Sequence, residues 1–69
     1  MTTYEYRVTG MSCGHCEASV RGEVAKLAGV ESIDVSASTG RLVIRGRDDL
    51  ADDDVLAAVD EAGYEAARA

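Results

Sequence analysis

The order of apolar and polar positions along the chain predicts six short elements. Tyr4, Tyr6 and Val8 alternate with polar residues, and this period of two is typical of a strand whose tyrosines fill one buried face. Gly10 should end that strand. Apolar residues then recur at helical spacing, and Gly29 is expected to stop this first helix. The helical positions are Cys16, Val20, Val24 and Leu27.

The second half of the chain continues with a hairpin, a helix and a last strand. Alternation over residues 30–37 and 41–45 predicts two strands, and Ser-Thr-Gly at 38–40 predicts the turn between them. The aspartates at 52–54 should lie at the start of a second helix, where negative charge complements the helix dipole. Gly63 should end this helix, and residues 64–69 read as a short edge strand. The helical positions are Val55, Ala58, Val59 and Ala62.

The predicted order is strand, helix, strand, strand, helix, strand. Helices with a single apolar stripe must cover a sheet face, so we expect an α+β sandwich. The ferredoxin-like βαββαβ arrangement fits this order, with a four-stranded antiparallel sheet and two helices on one face. Residues 1–69 are expected to form one domain.

Composition narrows the function. The 69 residues include 13 acidic and 7 basic side chains, for a net charge of −6. This charge disfavours binding to nucleic acid, and no stretch is long and apolar enough for membrane insertion. A chain this small has little room for a deep substrate cavity, so we do not expect an enzyme. The N-terminal residues lack a secretory pattern, which favours a cytoplasmic protein.

The stretch GMSCGHCEASV, residues 10–20, carries both cysteines and the single histidine of the chain. Two intervening residues let a loop direct Cys13 and Cys16 toward one point. The positive end of a helix dipole then stabilises their thiolates. Thiolate is both the form that binds metals and the nucleophile of redox chemistry. Metal binding, redox catalysis and simple packing of the two sulfurs therefore all remain open on these grounds.

Coordination chemistry favours a soft metal ion. A closed zinc site needs four ligands, whereas the chain offers two thiols and one imidazole. Cu(I) prefers thiolates and accepts two of them, which leaves an open centre that another thiolate can attack. The tetrapeptide CGHC also occurs in disulfide isomerases, so a small thiol–disulfide oxidoreductase is an alternative. The absence of tryptophan and proline from the chain weighs against it.

Three blocks of sequence together resemble the heavy-metal-associated (HMA) domain family, and within it the bacterial cytosolic copper chaperones. They are GMSCGHC, AGVESIDV and AAVDEAGYEA, and the resemblance spans residues 4–68. It implies a ferredoxin-like fold and a copper metallochaperone in which Cys13 and Cys16 bind Cu(I). It also implies transfer of the ion, by thiolate ligand exchange, to the metal-binding domain of a copper-transporting P-type ATPase.

The resemblance also assigns neighbours of the metal. Met11 should pack beneath the loop, His15 should face solvent or make an extra metal contact, and Tyr64 should face the site. Glu17 departs from the family pattern, and its charge is expected to oppose thiolate formation slightly. Alternatives within the family are handling of Zn²⁺ or Hg²⁺, or origin as the metal-binding domain of an ATPase. A copper-bridged homodimer is a plausible loaded state.

Overall fold

The computed structural model describes residues 2–11 and 14–69 of the chain. It contains the six elements in the order predicted from the sequence. They are β1 (Thr2–Thr9), α1 (Gly14–Val24), β2 (Val30–Ser36), β3 (Arg41–Gly46), α2 (Asp52–Glu61) and β4 (Glu65–Arg68).

The strands form one antiparallel sheet in the order β2-β3-β1-β4, so β1 lies in its interior. The register follows the alternation in the sequence. Tyr6 pairs with Leu42, which in turn pairs with Val35, so a row of apolar side chains crosses three strands on one face. The fold is therefore the expected ferredoxin-like α+β sandwich.

The core lies between this face of the sheet and the two helices, whose buried side chains join those of the strands in one cluster. Burying a side chain such as valine or leucine contributes about 1.5–3 kcal/mol. Among the described residues, the largest fully buried side chains are those of Tyr6, Val20, Val24, Leu42, Ile44, Val55 and Val59. Because few residues make up this core, hydrogen bonds between the elements matter for the geometry of the fold.

The predicted end of the first helix is wrong. The first helix ends at Val24, well before Gly29. The amides of Lys26 and Leu27 bond to carbonyls three residues back, at 3.2 and 3.0 Å, so the helix tightens into a turn. Leu27 still packs against the core, but from this turn. Helical spacing of apolar residues thus persisted beyond the end of the helix.

The second helix ends as predicted. It runs to Glu61, and Gly63 follows with a φ of +93°, the left-handed conformation that glycine adopts after a helix. Its start is capped differently from a standard aspartate cap. Ala51 is the N-cap residue and provides no side-chain hydrogen bond, so the aspartates occupy the first turn itself. Within the described residues, no helix combines the length and apolar character that a bilayer span requires.

Candidate metal site

We call the segment that joins the end of β1 to the start of α1, residues 10–13, the cysteine loop. Of the two predicted ligands, Cys13 lies outside the described residues, as does Ser12. Cys16 is the third residue of α1, and its side chain is 8% exposed. The sequence placed Cys16 in the first turn of this helix, and the structure agrees.

Cys16 lies at the positive end of the α1 dipole. Backbone amides in the first turn of a helix have no partner within the helix, and the dipole places partial positive charge there. Both effects stabilise a negative sulfur. Glu17 also lies in this turn. The arrangement can therefore bind a soft cation through sulfur once a second thiolate joins it.

Gly10 and Tyr64 define one side of the loop. Gly10 has a φ of +93°, which an L residue rarely adopts, and a Cβ atom at this position would lie 3.3 Å from Cδ1 of Tyr64. The tyrosine ring therefore lies against the first residue of the loop. Tyr64 is half-buried and packs against the core, which holds the ring in place. The family resemblance implied that Tyr64 faces the metal site; the ring lies beside Gly10, and its place next to a bound metal stays a prediction.

Met11 and His15 have opposite environments. Met11 is half-buried and packs against the core, the role expected of it from the sequence. His15, the second residue of α1, is exposed.

The structure shows a contact of Glu17 that the sequence did not predict. Its Oε2 accepts a hydrogen bond of 2.6 Å from the backbone amide of Ala37, in the turn between β2 and β3. Glu17 is half-buried there. The sequence analysis treated this carboxylate as an anion beside the cysteines, and no local pattern marks its partner.

A cluster of three side chains at the start of α2 was also not predicted from the sequence. The hydroxyl of the fully buried Tyr6 donates to Oδ1 of Asp52 at 2.7 Å, and Nη1 of Arg68 donates to both Asp52 carboxylate oxygens at 2.7 and 2.8 Å. The guanidinium carbon of Arg68 lies 5.6 Å from the centre of the Tyr6 ring. This cluster joins β1, α2 and β4.

These contacts shift the pKa values of both Tyr6 and Asp52. Burial, followed by the hydrogen bond to Asp52, raises the pKa of Tyr6. The Tyr6 hydroxyl, followed by Arg68, lowers the pKa of the Asp52 carboxyl. The cluster therefore fixes a neutral tyrosine beside a charged aspartate at neutral pH.

Comparison with known proteins identifies the family. The model of the heavy-metal-associated domain matches residues 5–65, nearly the whole chain. The chain belongs to the heavy-metal-associated domain family. This is the family that the three sequence blocks resembled.

The relatives of the domain include a transporting ATPase and a copper chaperone. The chain is 38% identical over 63 residues to the zinc/cadmium/lead-transporting P-type ATPase of Shigella sonnei; this match covers 91% of the chain and 8% of the ATPase. It is 34% identical over 59 residues to the copper chaperone CopZ of Staphylococcus aureus, covering 84% of the chain and 87% of CopZ. The domain thus corresponds to a small part of one relative and to most of the other.

Solved structures agree with this assignment. A CopZ metallochaperone superposes with a TM-score of 0.89 at 30% identity, over 96% of this chain and all of the other. The fold is therefore shared with a metallochaperone structure of similar length.

Proposed function

We propose that this heavy-metal-associated domain binds one Cu(I) ion between the thiolates of Cys13 and Cys16. It then passes the ion to the metal-binding domain of a copper-transporting P-type ATPase. The observation that carries the proposal is the position of Cys16. Cys16 is buried in the first turn of α1, and the other cysteine, Cys13, lies three positions earlier in the sequence.

The coordination chemistry supports a carrier. Two thiolates satisfy Cu(I) but leave its remaining positions open. A thiolate of the partner can form a bond to copper while one thiolate of this domain leaves, and a second exchange completes the transfer. Copper stays monovalent throughout, so the exchange needs no oxidant or reductant.

The surroundings support both retention and release of the ion. Tyr64 and Met11 provide apolar cover on the core side of the loop. Gly14 and His15 are exposed at the start of α1, where a partner can approach. The net charge of −6 suits a partner with a basic docking surface. The carrier role implies a cytoplasmic protein that can reach the metal-binding domain of the ATPase.

A zinc-handling domain of a transporting ATPase is the second candidate. It is favoured by the 38% identity with the Shigella sonnei ATPase. Zinc takes four ligands in structural sites, whereas the chain contains two cysteines and one histidine. Zn²⁺ would therefore need carboxylates or a second molecule to complete its coordination.

A Cu(I) titration against a chromogenic Cu(I) chelator tests the proposal. Wild type, Cys13→Ser and Cys16→Ser should be compared under anaerobic reducing conditions, with native mass spectrometry to count ions and chains. We expect one Cu(I) per wild-type chain and a large loss of affinity in each serine variant. A serine variant that keeps full affinity would overturn the ligand assignment.

Parallel measurements separate the alternatives. If Zn²⁺ binds the wild-type site more tightly than Cu(I) and displaces it, the zinc candidate is favoured. Rapid turnover in a disulfide-reduction assay would favour an oxidoreductase. His15→Ala should keep the wild-type stoichiometry, and a weaker affinity would assign His15 as a further ligand. A doubled mass that appears on copper loading would indicate the copper-bridged homodimer.

A further inference from the structure

The turn between β2 and β3, residues 37–40, contacts both sides of the cysteine loop. On the strand side, the carbonyl of Gly40 accepts a 2.7 Å hydrogen bond from the amide of Val8, near the end of β1. On the helix side, the amide of Ala37 donates the 2.6 Å hydrogen bond to Glu17 of α1. The two segments that flank the loop are thus tied to one short turn.

The turn itself is well fixed. The amide of Gly40 donates to the carbonyl of Ser36 at 2.9 Å, which closes the turn. Gly40 has a φ of +69°, and a Cβ atom there would lie 2.9 Å from the carbonyl oxygen of Val8. A backbone this close to β1 can act as a fixed support for the residues that it contacts.

The hydrogen bond of Glu17 reaches this support from the helix. It joins residues that are 20 positions apart in the chain, and its donor is a backbone amide. A bond between an amide and a carboxylate is charge-assisted, so it is shorter and stronger than a neutral one. Glu17 directly follows Cys16 in the first turn of α1, so restraining Glu17 restrains that turn.

We propose that Glu17 is a positioning residue for the metal site, which orients Cys16 through the hydrogen bond from the amide of Ala37. The inference rests on the proposed function, in which Cys16 is a metal ligand. For the effect of Glu17 on Cu(I) affinity, this proposal predicts the opposite direction from simple electrostatics. An anion beside a negatively charged copper–thiolate complex should weaken binding, whereas a positioning residue should strengthen it.

Two substitutions at Glu17 separate these effects. Glu17→Ala removes the acceptor, and we expect Cu(I) affinity to fall about tenfold, the lower end of the usual effect of a residue that supports a metal ligand. Glu17→Gln keeps an acceptor oxygen at the same distance along the side chain, and its affinity should stay near that of wild type. Glu23→Ala is the matched control, since Glu23 is also half-buried on α1 and pairs with Lys26 at 3.1 Å.

The affinities decide between positioning and electrostatics. Tighter binding in both Glu17 variants would show that the charge opposes the metal and would overturn the proposal. Unchanged affinity in a folded Glu17→Ala variant would show that the bond stabilises the fold without serving the site. An equal loss in Glu23→Ala would assign the effect to the charge of the helix as a whole and would also refute it.

Two measurements on the metal-free protein keep the test independent of copper binding. The Ala37 amide should exchange with deuterium faster in Glu17→Ala than in wild type or Glu17→Gln. In a Cys13→Ser background Cys16 is the one thiol, and its alkylation by iodoacetamide is followed by mass spectrometry. The rate should be several times faster in Glu17→Ala than in wild type or in Glu17→Gln, which also lacks the charge; equal acceleration in both variants would assign the effect to the charge and overturn the proposal. An unchanged alkylation rate would overturn the positioning role. If wild type fails to bind Cu(I) while both metal-free results hold, the proposed function fails and the restraint on Cys16 stands.

Discussion

The cluster of Tyr6, Asp52 and Arg68 predicts a stability effect that changes with pH. Replacing Tyr6 by phenylalanine removes a hydroxyl whose 2.7 Å hydrogen bond ends on Asp52. The phenylalanine ring still fills the same fully buried position, so the change removes little apolar contact. The change in the free energy of unfolding of this variant therefore measures the contribution of the hydrogen bond.

The expected size at pH 7 follows from the partner's charge and exposure. A hydrogen bond to a charged group contributes a net of about 1.5–3 kcal/mol. The Asp52 side chain is 44% exposed, so water weakens the bond and the lower end applies. We expect Tyr6→Phe to lower the free energy of unfolding by about 1.5 kcal/mol at pH 7, which corresponds to a fall in Tm of about 6–12 °C.

The loss should shrink in alkaline solution. The folded pKa of Tyr6 is raised, whereas an unfolded tyrosine ionises near pH 10. A raised pKa contributes stability that is fully present below the unfolded pKa and is lost as pH rises toward the folded one. By pH 11 wild type should have lost about 1.4 kcal/mol through Tyr6 alone. Tyr6→Phe cannot lose this amount, so the two proteins should be nearly equal in stability at pH 11.

Thermal and urea denaturation followed by far-UV circular dichroism at pH 7 and pH 11 measures both quantities. Tyr4→Phe is a matched comparison at pH 7. The Tyr4 hydroxyl donates to the neutral carbonyl of Arg47 at 2.6 Å, so its loss should cost about 1 kcal/mol. In an Asp52→Ala background the Tyr6 hydroxyl loses its acceptor, and Tyr6→Phe should then be neutral or stabilising. A Tyr6→Phe penalty of equal size at the two pH values would refute the reasoning.

The dependence of stability on pH in acidic solution provides a second test. The pKa of Asp52 is lowered, chiefly by the Tyr6 hydroxyl. A lowered pKa contributes stability that is present above the unfolded value, near pH 4, and is lost as pH falls through the folded value. Tyr6→Phe should therefore lose less stability than wild type between pH 5 and pH 2, as measured by the same melts.

Three further substitutions test the fold by thermal denaturation. Gly40→Ala should destabilise by at least about 1 kcal/mol, because the residue has a positive φ and approaches the Val8 carbonyl closely; a gain in Tm would contradict the close contact. Gly22→Ala, inside α1 with open space around the new methyl group, should stabilise by about 0.5–1 kcal/mol, and a loss would mean that the glycine is needed for packing. Leu42→Ala should cost about 2–5 kcal/mol because Leu42 is fully buried, and a cost near zero would place it outside the core.

The candidate site was only partly predictable from the sequence. The spacing of Cys13 and Cys16 indicated a shared role, and the helical pattern placed Cys16 at a helix start. The family resemblance placed Tyr64 near the metal site, whereas the contact of its ring with Gly10 is known from the structure, because the two residues lie far apart in the chain. The partner of Glu17 was missed because nothing near residue 17 or residue 37 marks a pairing between them.

The sequence by itself determined the elements and the face that each buries, because the alternation of polar and apolar residues is a local property. It misplaced the end of α1, where Leu27 continues the apolar spacing although the backbone has already tightened into a turn. The tertiary structure alone decided which polar groups meet. Glu17 reaches Ala37 across 20 positions, and Tyr6 reaches Asp52 across 46. Such bonds depend on how packed elements bring distant segments together, and no local periodicity encodes that geometry.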